Sequence, residues 1–263
     1  MKAIVTGANG TLGKHLCSHL RNLGWQVLPW DRHAVEVNNW DQSYQFLQRI
    51  KPDAIFHLAI ASTSTGMDNE GWRINHDWPL QLADLCRELN IELIFTSTAM
   101  VFSDFAIGPF TPNSVPDAPE GYGFEKMRAE EGVRAKLPTA KIVRLGWQID
   151  ETPGGNNMLE NLCQQAKQGN GTVSASERWY PACSAIKDTV AGLAQAYDLP
   201  AGTYMLDSNR QWTFFDVVRA INAKHDMKWN VVANQDFVFD QRMQDPRLPV
   251  PSLSERFPLL KSL

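Results

Sequence analysis

The chain has 263 residues, 43% of them hydrophobic and 21% charged, with a formal net charge of −4. That is enough for one large domain, or a domain with a lobe, around a substantial core. The acidic balance argues against nucleic acid as a partner, and no apolar run approaches the roughly 20 residues that span a bilayer. The chain enters its first strand at once, without a signal-peptide pattern. Cys17, Cys86, Cys163 and Cys183 are scattered with no Cys-x-x-Cys pair. They read as reduced thiols of a cytoplasmic protein, with no metal site and no disulfide frame.

Ala3–Val5 is a short apolar run of the kind that forms a buried parallel strand. Gly7, Gly10 and Gly13 follow, and Leu12, Leu16, Leu20 and Leu23 recur at helical spacing. Strand, glycine loop and helix together give a glycine motif its meaning as a dinucleotide site. Gly7 permits the tight turn, Gly10 admits a pyrophosphate, and Gly13 lets helix and strand pack closely. Asn9, Gly10, Thr11 and Leu12 lead into the helix N-terminus, whose free N–H groups and positive dipole end suit phosphates.

Trp25–Trp30 reads as a second strand ending at Asp31. An acid at about that distance from the glycines, roughly 20 residues, reaches the ribose of a bound dinucleotide. Asp31 accepting from a 2′-hydroxyl favours NAD. Arg32 beside it could pair with a 2′-phosphate and keeps NADP open.

Asp41–Ile50 is expected as a short helix with Asp41 as its N-cap, and Ala54–Ala59 as a third buried strand. His57 within it reads as a core histidine. The strand's end, at Leu58 and Ala59, and the polar loop Ser62–Asn69 lie at the edge where open α/β sheets bind ligands. Trp72–Leu89 has helical periodicity, which Pro79 should bend or interrupt. Ile91–Phe95 is a fourth strand running into the hydroxyl-rich Thr96-Ser97-Thr98. The proline-rich stretch Ser103–Gly121 is a long loop, and such loops in compact domains are often functional.

A helix then opens at Tyr122 and runs to about Leu137. Tyr122 and Lys126 are four residues apart and share one helical face. An ammonium close to a phenol favours the phenolate, so Tyr122 could donate a proton to a carbonyl oxygen or accept one from an alcohol. Lys141–Leu145 is a fifth strand, followed by Trp147. Beyond it come a loop over Glu151–Asn157, a helix over Met158–Lys167 and a polar, turn-rich stretch over Gln168–Ser176. Then follow the aromatic pair Trp179-Tyr180, a helix over Ile186–Ala196 and a strand over Gly202–Leu206. Last, Thr213 and Asp216 have capping-box spacing for a helix to about Lys224. The sequence therefore divides into a dinucleotide-binding domain over 1–150 and a smaller substrate-binding lobe over 151–263. Part of the latter, about 183–206, is expected to return to the first domain. Trp147, Trp179 and Tyr180 are candidate substrate contacts, because aromatic planes stack on a base or sugar.

Gly7-x-x-Gly10-x-x-Gly13, Thr98 and Tyr122-x-x-x-Lys126 together resemble the extended short-chain dehydrogenase/reductase superfamily. Within it the chain most resembles the dTDP-4-dehydrorhamnose reductase-like, sugar-nucleotide-modifying branch. Lys51–Ala59, Thr96–Phe102, Pro119–Lys126 and Val143–Trp147 carry the likeness in order. It covers about the first 150 residues well and the later half loosely. The resemblance implies an α/β, Rossmann-type doubly wound parallel sheet and hydride transfer to or from a nicotinamide, NAD or NADP. By family role, Thr98 and Tyr122 would hydrogen-bond the substrate carbonyl, Tyr122 would supply the proton, and Lys126 would hold the nicotinamide ribose. A residue in the region of Glu36-Val37 would touch the adenine.

Two departures bear on the substrate. The branch carries an acid and a tyrosine after its threonine, where this chain has Ala99 and Met100. The superfamily's dehydratases also carry acids there to remove a substrate proton, so dehydration is disfavoured. The implied reading is an NAD(P)-dependent reductase of a nucleotide-linked keto-sugar. Two alternatives remain: an epimerase with bound NAD, and a dinucleotide-binding regulatory protein without turnover. A homodimer is open as its assembly.

Overall fold

β1 (Lys2–Thr6) buries Ala3, Ile4 and Val5 completely, as an apolar run flanked on both sides by other strands must. The computed structural model describes residues 1–61, 66, 68–152 and 154–263. After β1 come α1 (Thr11–Asn22), β2 (Gln26–Pro29), α2 (Trp40–Ile50) and β3 (Ala54–His57). A short α3 (Glu70–Trp72) continues through one π-helical turn, Arg73–Asp77, into α4 (Trp78–Leu89). β4 (Glu92–Thr98) ends in a 3-10 turn, Ala99–Val101, and α5 (Gly121–Lys136) leads to β5 (Lys141–Leu145).

The later chain holds β6 (Trp147–Ile149), α6 (Met158–Gln168), β7 (Thr172–Ser176), β8 (Trp179–Tyr180) and β9 (Cys183–Ala185). It continues with α7 (Ile186–Gln195), β10 (Gly202–Leu206), α8 (Phe214–His225), β11 (Asn230–Asn234), β12 (Phe239–Asp240) and α9 (Leu253–Arg256).

The central sheet has six strands in the order β10-β5-β4-β3-β1-β2. β1 pairs in parallel with β2, Ile4 opposite Leu28, and with β3, Ile4 opposite Ile55. β3 pairs in parallel with β4, Phe56 opposite Ile94. The chain passes from β1 outward to β2 and then returns to the other side of β1, so the order reverses there. In an open α/β sheet that switch point is where ligands bind, outside the carboxyl ends of the strands. The α/β, doubly wound arrangement is thus the one the sequence implies.

The chain packs as two compact units. The first is Met1–Ser103, Val115–Arg144 and Val190–Tyr204; the second is Asp104–Ser114, Leu145–Thr189 and Met205–Leu263. The first has a core of Ile4, Ile55, Leu82, Leu85, Leu93, Phe95 and Val133 under the helices. Burying each such side chain contributes about 1.5–3 kcal/mol. The core of the second joins Leu162, Val173, Phe214, Val217, Leu253 and Phe257, and the parallel pairs β7–β11 and β6–β9 belong to it.

Several local expectations need correction. The N-cap of α2 is Asn39, whose side chain accepts from the Gln42 amide at 3.2 Å; Asp41 lies inside the first turn. Pro79 sits in the first turn of α4, inside the continuous helical run, and the interruption expected of it appears as the π turn Arg73–Asp77 immediately before, where its missing N–H removes a helical bond. β3 stops at His57, short of Ala59. The stretch over Gln168–Ser176 is not all turn, since β7 occupies its second half. Most of the loop expected over Ser62–Asn69 lies outside the described residues, as does Pro153 of the loop over Glu151–Asn157.

Candidate active site

The end of β1 is built to meet a ligand. Gly7 has φ +66°, a left-handed conformation that costs a side-chained residue strain. A Cβ there would also stand 3.0 Å from both N and Cα of Ala59. The Thr6 hydroxyl oxygen accepts from the Leu58 and Ala59 amides, each at 3.1 Å, and lies 2.8 Å from His57 Nδ1. These bonds lock the carboxyl ends of β1 and β3 together at the switch point. Gly10 is the N-cap of α1, its side-chain position empty, and no acid lies in the helix's first turn. Asn9 and Gly10 are exposed, and Thr11 and Leu12 half-buried. A bare helix N-terminus behind a glycine turn fits a pyrophosphate.

Asp31 and Arg32 follow β2 at the surface. Asp31 Oδ1 accepts from the His33 amide at 2.9 Å, and its carbonyl accepts from Ala34 and Val35. Asp31 thus shapes the turn that ends the strand and keeps its carboxylate outside the core. Beyond the turn, the Glu36 amide donates to the Gln42 side chain at 3.0 Å, and Val37 packs partly buried against the core.

Thr98 closes β4. Its hydroxyl oxygen accepts from the Met100 amide at 3.1 Å and caps the 3-10 turn, which leaves the hydroxyl hydrogen to donate elsewhere. Gly123 brings Tyr122 to this place. A Cβ on Gly123 would collide with the Met100 carbonyl oxygen and stand 3.2 Å from Ala118 Cβ. The first turn of α5 therefore lies directly on the turn that Thr98 caps. One turn further, Lys126 is fully buried, with Nζ 4.1 Å from the centroid of Phe95. The cation–π contact is its partner; no hydrogen-bond acceptor reaches the ammonium among the described residues.

The electrostatics follow from burial. Desolvation pushes the Lys126 ammonium down to about 7 against the opposing pull of the Glu130 and Glu125 carboxylates. Burial, and then Glu125, raise the Tyr122 phenol above its ordinary value, the reverse of the lowering expected from the Lys126 spacing, because desolvation of the phenolate outweighs the ammonium. His57 is held well below its usual range by burial and by Lys126, and its ring stacks on Phe95 at 5.7 Å. It is the core histidine expected. Glu130 is not free to neutralise Lys126 alone. Arg144 grips it in a bidentate pair, Nε–Oε1 2.9 Å and Nη2–Oε2 2.7 Å, with both side chains buried.

The sequence reading overlooked Glu125, Asn75, Glu130 and Arg144. Only Arg144 had a local signal, a charge inside the apolar run Ile142–Leu145. A buried unpaired ammonium fits a polar ligand better than it fits an empty core, because an ion without partners is costly there. In a bound dinucleotide the ribose hydroxyls are groups of the kind that could accept from it.

Trp147, Trp179 and Tyr180 belong to the second unit. Trp147 and Trp179 stack at 6.3 Å and 27°, both against Phe214. Tyr180 lies under the Arg242 guanidinium at 4.8 Å. All three are half-buried.

A switch-point sheet with a glycine turn, a strand-end threonine and a Tyr-x-x-x-Lys helix defines a nicotinamide-dependent reductase of the short-chain dehydrogenase/reductase type. The model of the RmlD substrate binding domain matches residues 1–249, and the chain belongs to that family. It is similar to the dTDP-4-keto-6-deoxy-D-glucose reductase of Streptomyces niveus, 26% identical over 77% of each chain. Among solved structures it resembles the dTDP-4-dehydrorhamnose reductase of Bacillus anthracis in complex with NADP. That likeness has a TM-score of 0.84 at 23% identity over 98% of this chain and 99% of that one. It also resembles the enzyme WbmH of Bordetella bronchiseptica in complex with NAD+. There the TM-score is 0.79 at 16% identity, over 97% of this chain and 94% of that one.

Proposed function

We propose that the protein reduces the keto group of a nucleotide-linked sugar with NADH or NADPH. The observation that carries this is the buried ammonium of Lys126, without a hydrogen bond among the described residues, one turn behind Tyr122, with the Thr98-capped turn packed under the same helix. Relatives with reductase names, acting by those names on dTDP-linked keto-sugars, point the same way.

A nicotinamide held by these residues would supply the hydride for the keto carbon. Everything else falls to this chain. Thr98 donates a hydrogen bond to the keto oxygen and polarises it. Tyr122 donates the phenolic proton to the same oxygen as negative charge develops there. Lys126 holds the ribose and keeps a positive charge beside the phenolate that forms. Gly7, Asn9, Gly10, Thr11 and Leu12 form the pyrophosphate turn, and Leu58 and Ala59 form its far wall. Asp31 and Arg32 would face the adenosine ribose, with Glu36 and Val37 nearer the adenine. Asp31 favours NAD. Trp147, Trp179 and Tyr180 would give stacking surfaces for sugar or base in a substrate lobe. The protein would work in the cytoplasm, where its four unpaired thiols stay reduced.

The test is to incubate the protein with reduced cofactor and a panel of nucleotide-4-keto-sugars while following cofactor absorbance. Consumption of cofactor with one panel member supports the proposal. Tight cofactor binding with no panel member reduced supports a regulatory dinucleotide binder instead.

A further inference from the structure

Glu125 stands between the tyrosine and lysine of the proposed site, and the mechanism above gives it no task. Its carboxylate is not loose. Oε2 accepts from Asn75 Nδ2 at 2.8 Å. A Cβ added to Gly71 would come 2.7 Å from Oε1, so the carboxylate rests against the backbone of α3. Asn75, nearly fully buried in the π turn, uses its other side-chain atom to accept from the Ala61 amide at 3.1 Å. Ala61 belongs to the chain leaving β3, just past the Leu58–Ala59 wall of the cofactor crevice. Trp72 stacks on His76 at 4.0 Å and reaches Phe124, Glu125's neighbour, at 6.3 Å. A π turn placed in the middle of such a contact is a common device at functional sites.

We propose that Glu125 is a positioning residue. Through Asn75 it ties the first turn of α5 to the segment leaving β3, and its fixed negative charge holds the proton on the Tyr122/Lys126 pair. The charge effect has a definite sign. Glu125 raises both groups, so its loss lets both release protons at lower pH.

The other charged and titratable groups around Lys126 leave this role open. On α5 they are Tyr122 and Glu130; Glu130 is committed to Arg144 on β5 and has Arg134 at 3.7 Å. On β3 there is His57, already held neutral. The π turn carries Arg73 and the His76–Asp77 pair, whose contact is 2.8 Å. Glu125 is the carboxylate held by an uncharged donor, so its charge is not cancelled by a partner cation in the contacts described.

The inference rests on the reading of Tyr122 and Lys126 given above, and its test separates the two. NADH affinity is measured by fluorescence titration from about pH 6 to pH 9 for the wild type, Glu125→Gln and Asn75→Ala. Glutamine keeps an oxygen for Asn75 and removes only the charge. Its affinity at about pH 8 should fall roughly 3- to 10-fold further than that of the wild type, from a midpoint displaced to lower pH. Asn75→Ala keeps the charge but frees it, and should displace the midpoint the same way by less while lowering the melting temperature. Profiles of both variants that superimpose on the wild type overturn the role of Glu125. Should Glu125→Gln not fold, an undisplaced midpoint in Asn75→Ala alone overturns it. A wild type that binds no NADH at any pH instead overturns the reading of the site itself.

Discussion

Lys126 holds an ammonium inside the protein with an aromatic face and, among the described residues, no hydrogen-bond acceptor. Burying a charge in that way costs the folded state. With its folded value pushed to about 7 from an ordinary 10.5, the unfolded chain binds more protons between those two pH values. The contribution of Lys126 to stability therefore rises with pH across that window, and at neutral pH the cofactor-free protein bears the penalty. Lys126→Met should raise the melting temperature of the cofactor-free protein, a gain of about 1–3 kcal/mol, while cofactor affinity and turnover collapse. A variant that melts lower would show that the ammonium is better satisfied than this geometry implies. Tyr122→Phe removes one hydroxyl only. Cofactor binding should survive in a calorimeter, and turnover should fall by roughly 10²-fold or more. Equal turnover by both proteins would remove Tyr122 from the reaction.

At the scale of elements, the site depends on how closely α5 lies on the turn after β4. Gly123→Ala would press a methyl group against the Met100 carbonyl and the Ala118 methyl, and the Met100 backbone cannot yield cheaply. The expected cost is about 1–3 kcal/mol of stability together with a roughly 10²-fold loss of turnover from misplacing Tyr122. Thermal melts and steady-state rates check both; an unaffected rate would mean that the helix start need not touch the turn.

Here the sequence was a good guide to what is local and a poor one to what is not. The strand–glycine–helix start and the Tyr122–Lys126 spacing are carried by periodicity and by single residues. So is the α8 capping box, where Thr213 and Asp216 satisfy each other. By contrast, the Asn75–Glu125 tie joins residues 50 apart in the chain, and β7 finds its partner only in β11. No propensity within either segment announces such a pairing. Asp41 carries a cap's side chain but does not cap, because Asn39, two residues earlier, offers the same chemistry from a better backbone position.

For the whole molecule, a dinucleotide that binds the folded chain and not the unfolded one must stabilise it. At about 100 times the dissociation constant the gain is about 2.7 kcal/mol. Melting curves with NADH and with NADPH should both shift upward, NADH more if Asp31 governs the ribose. A shift with NADPH alone would assign the choice to Arg32. The central claim is that the protein hands a hydride from its cofactor to a sugar carbon and a proton from Tyr122 to the oxygen. The most direct test uses reduced cofactor deuterated at the transferring nicotinamide carbon, with the keto-sugar that the panel identifies. The account predicts one deuterium on the new carbinol carbon and one equivalent of cofactor oxidised per product. Product without deuterium, and with no net consumption of cofactor, would contradict it and point to an epimerase that recycles its own hydride.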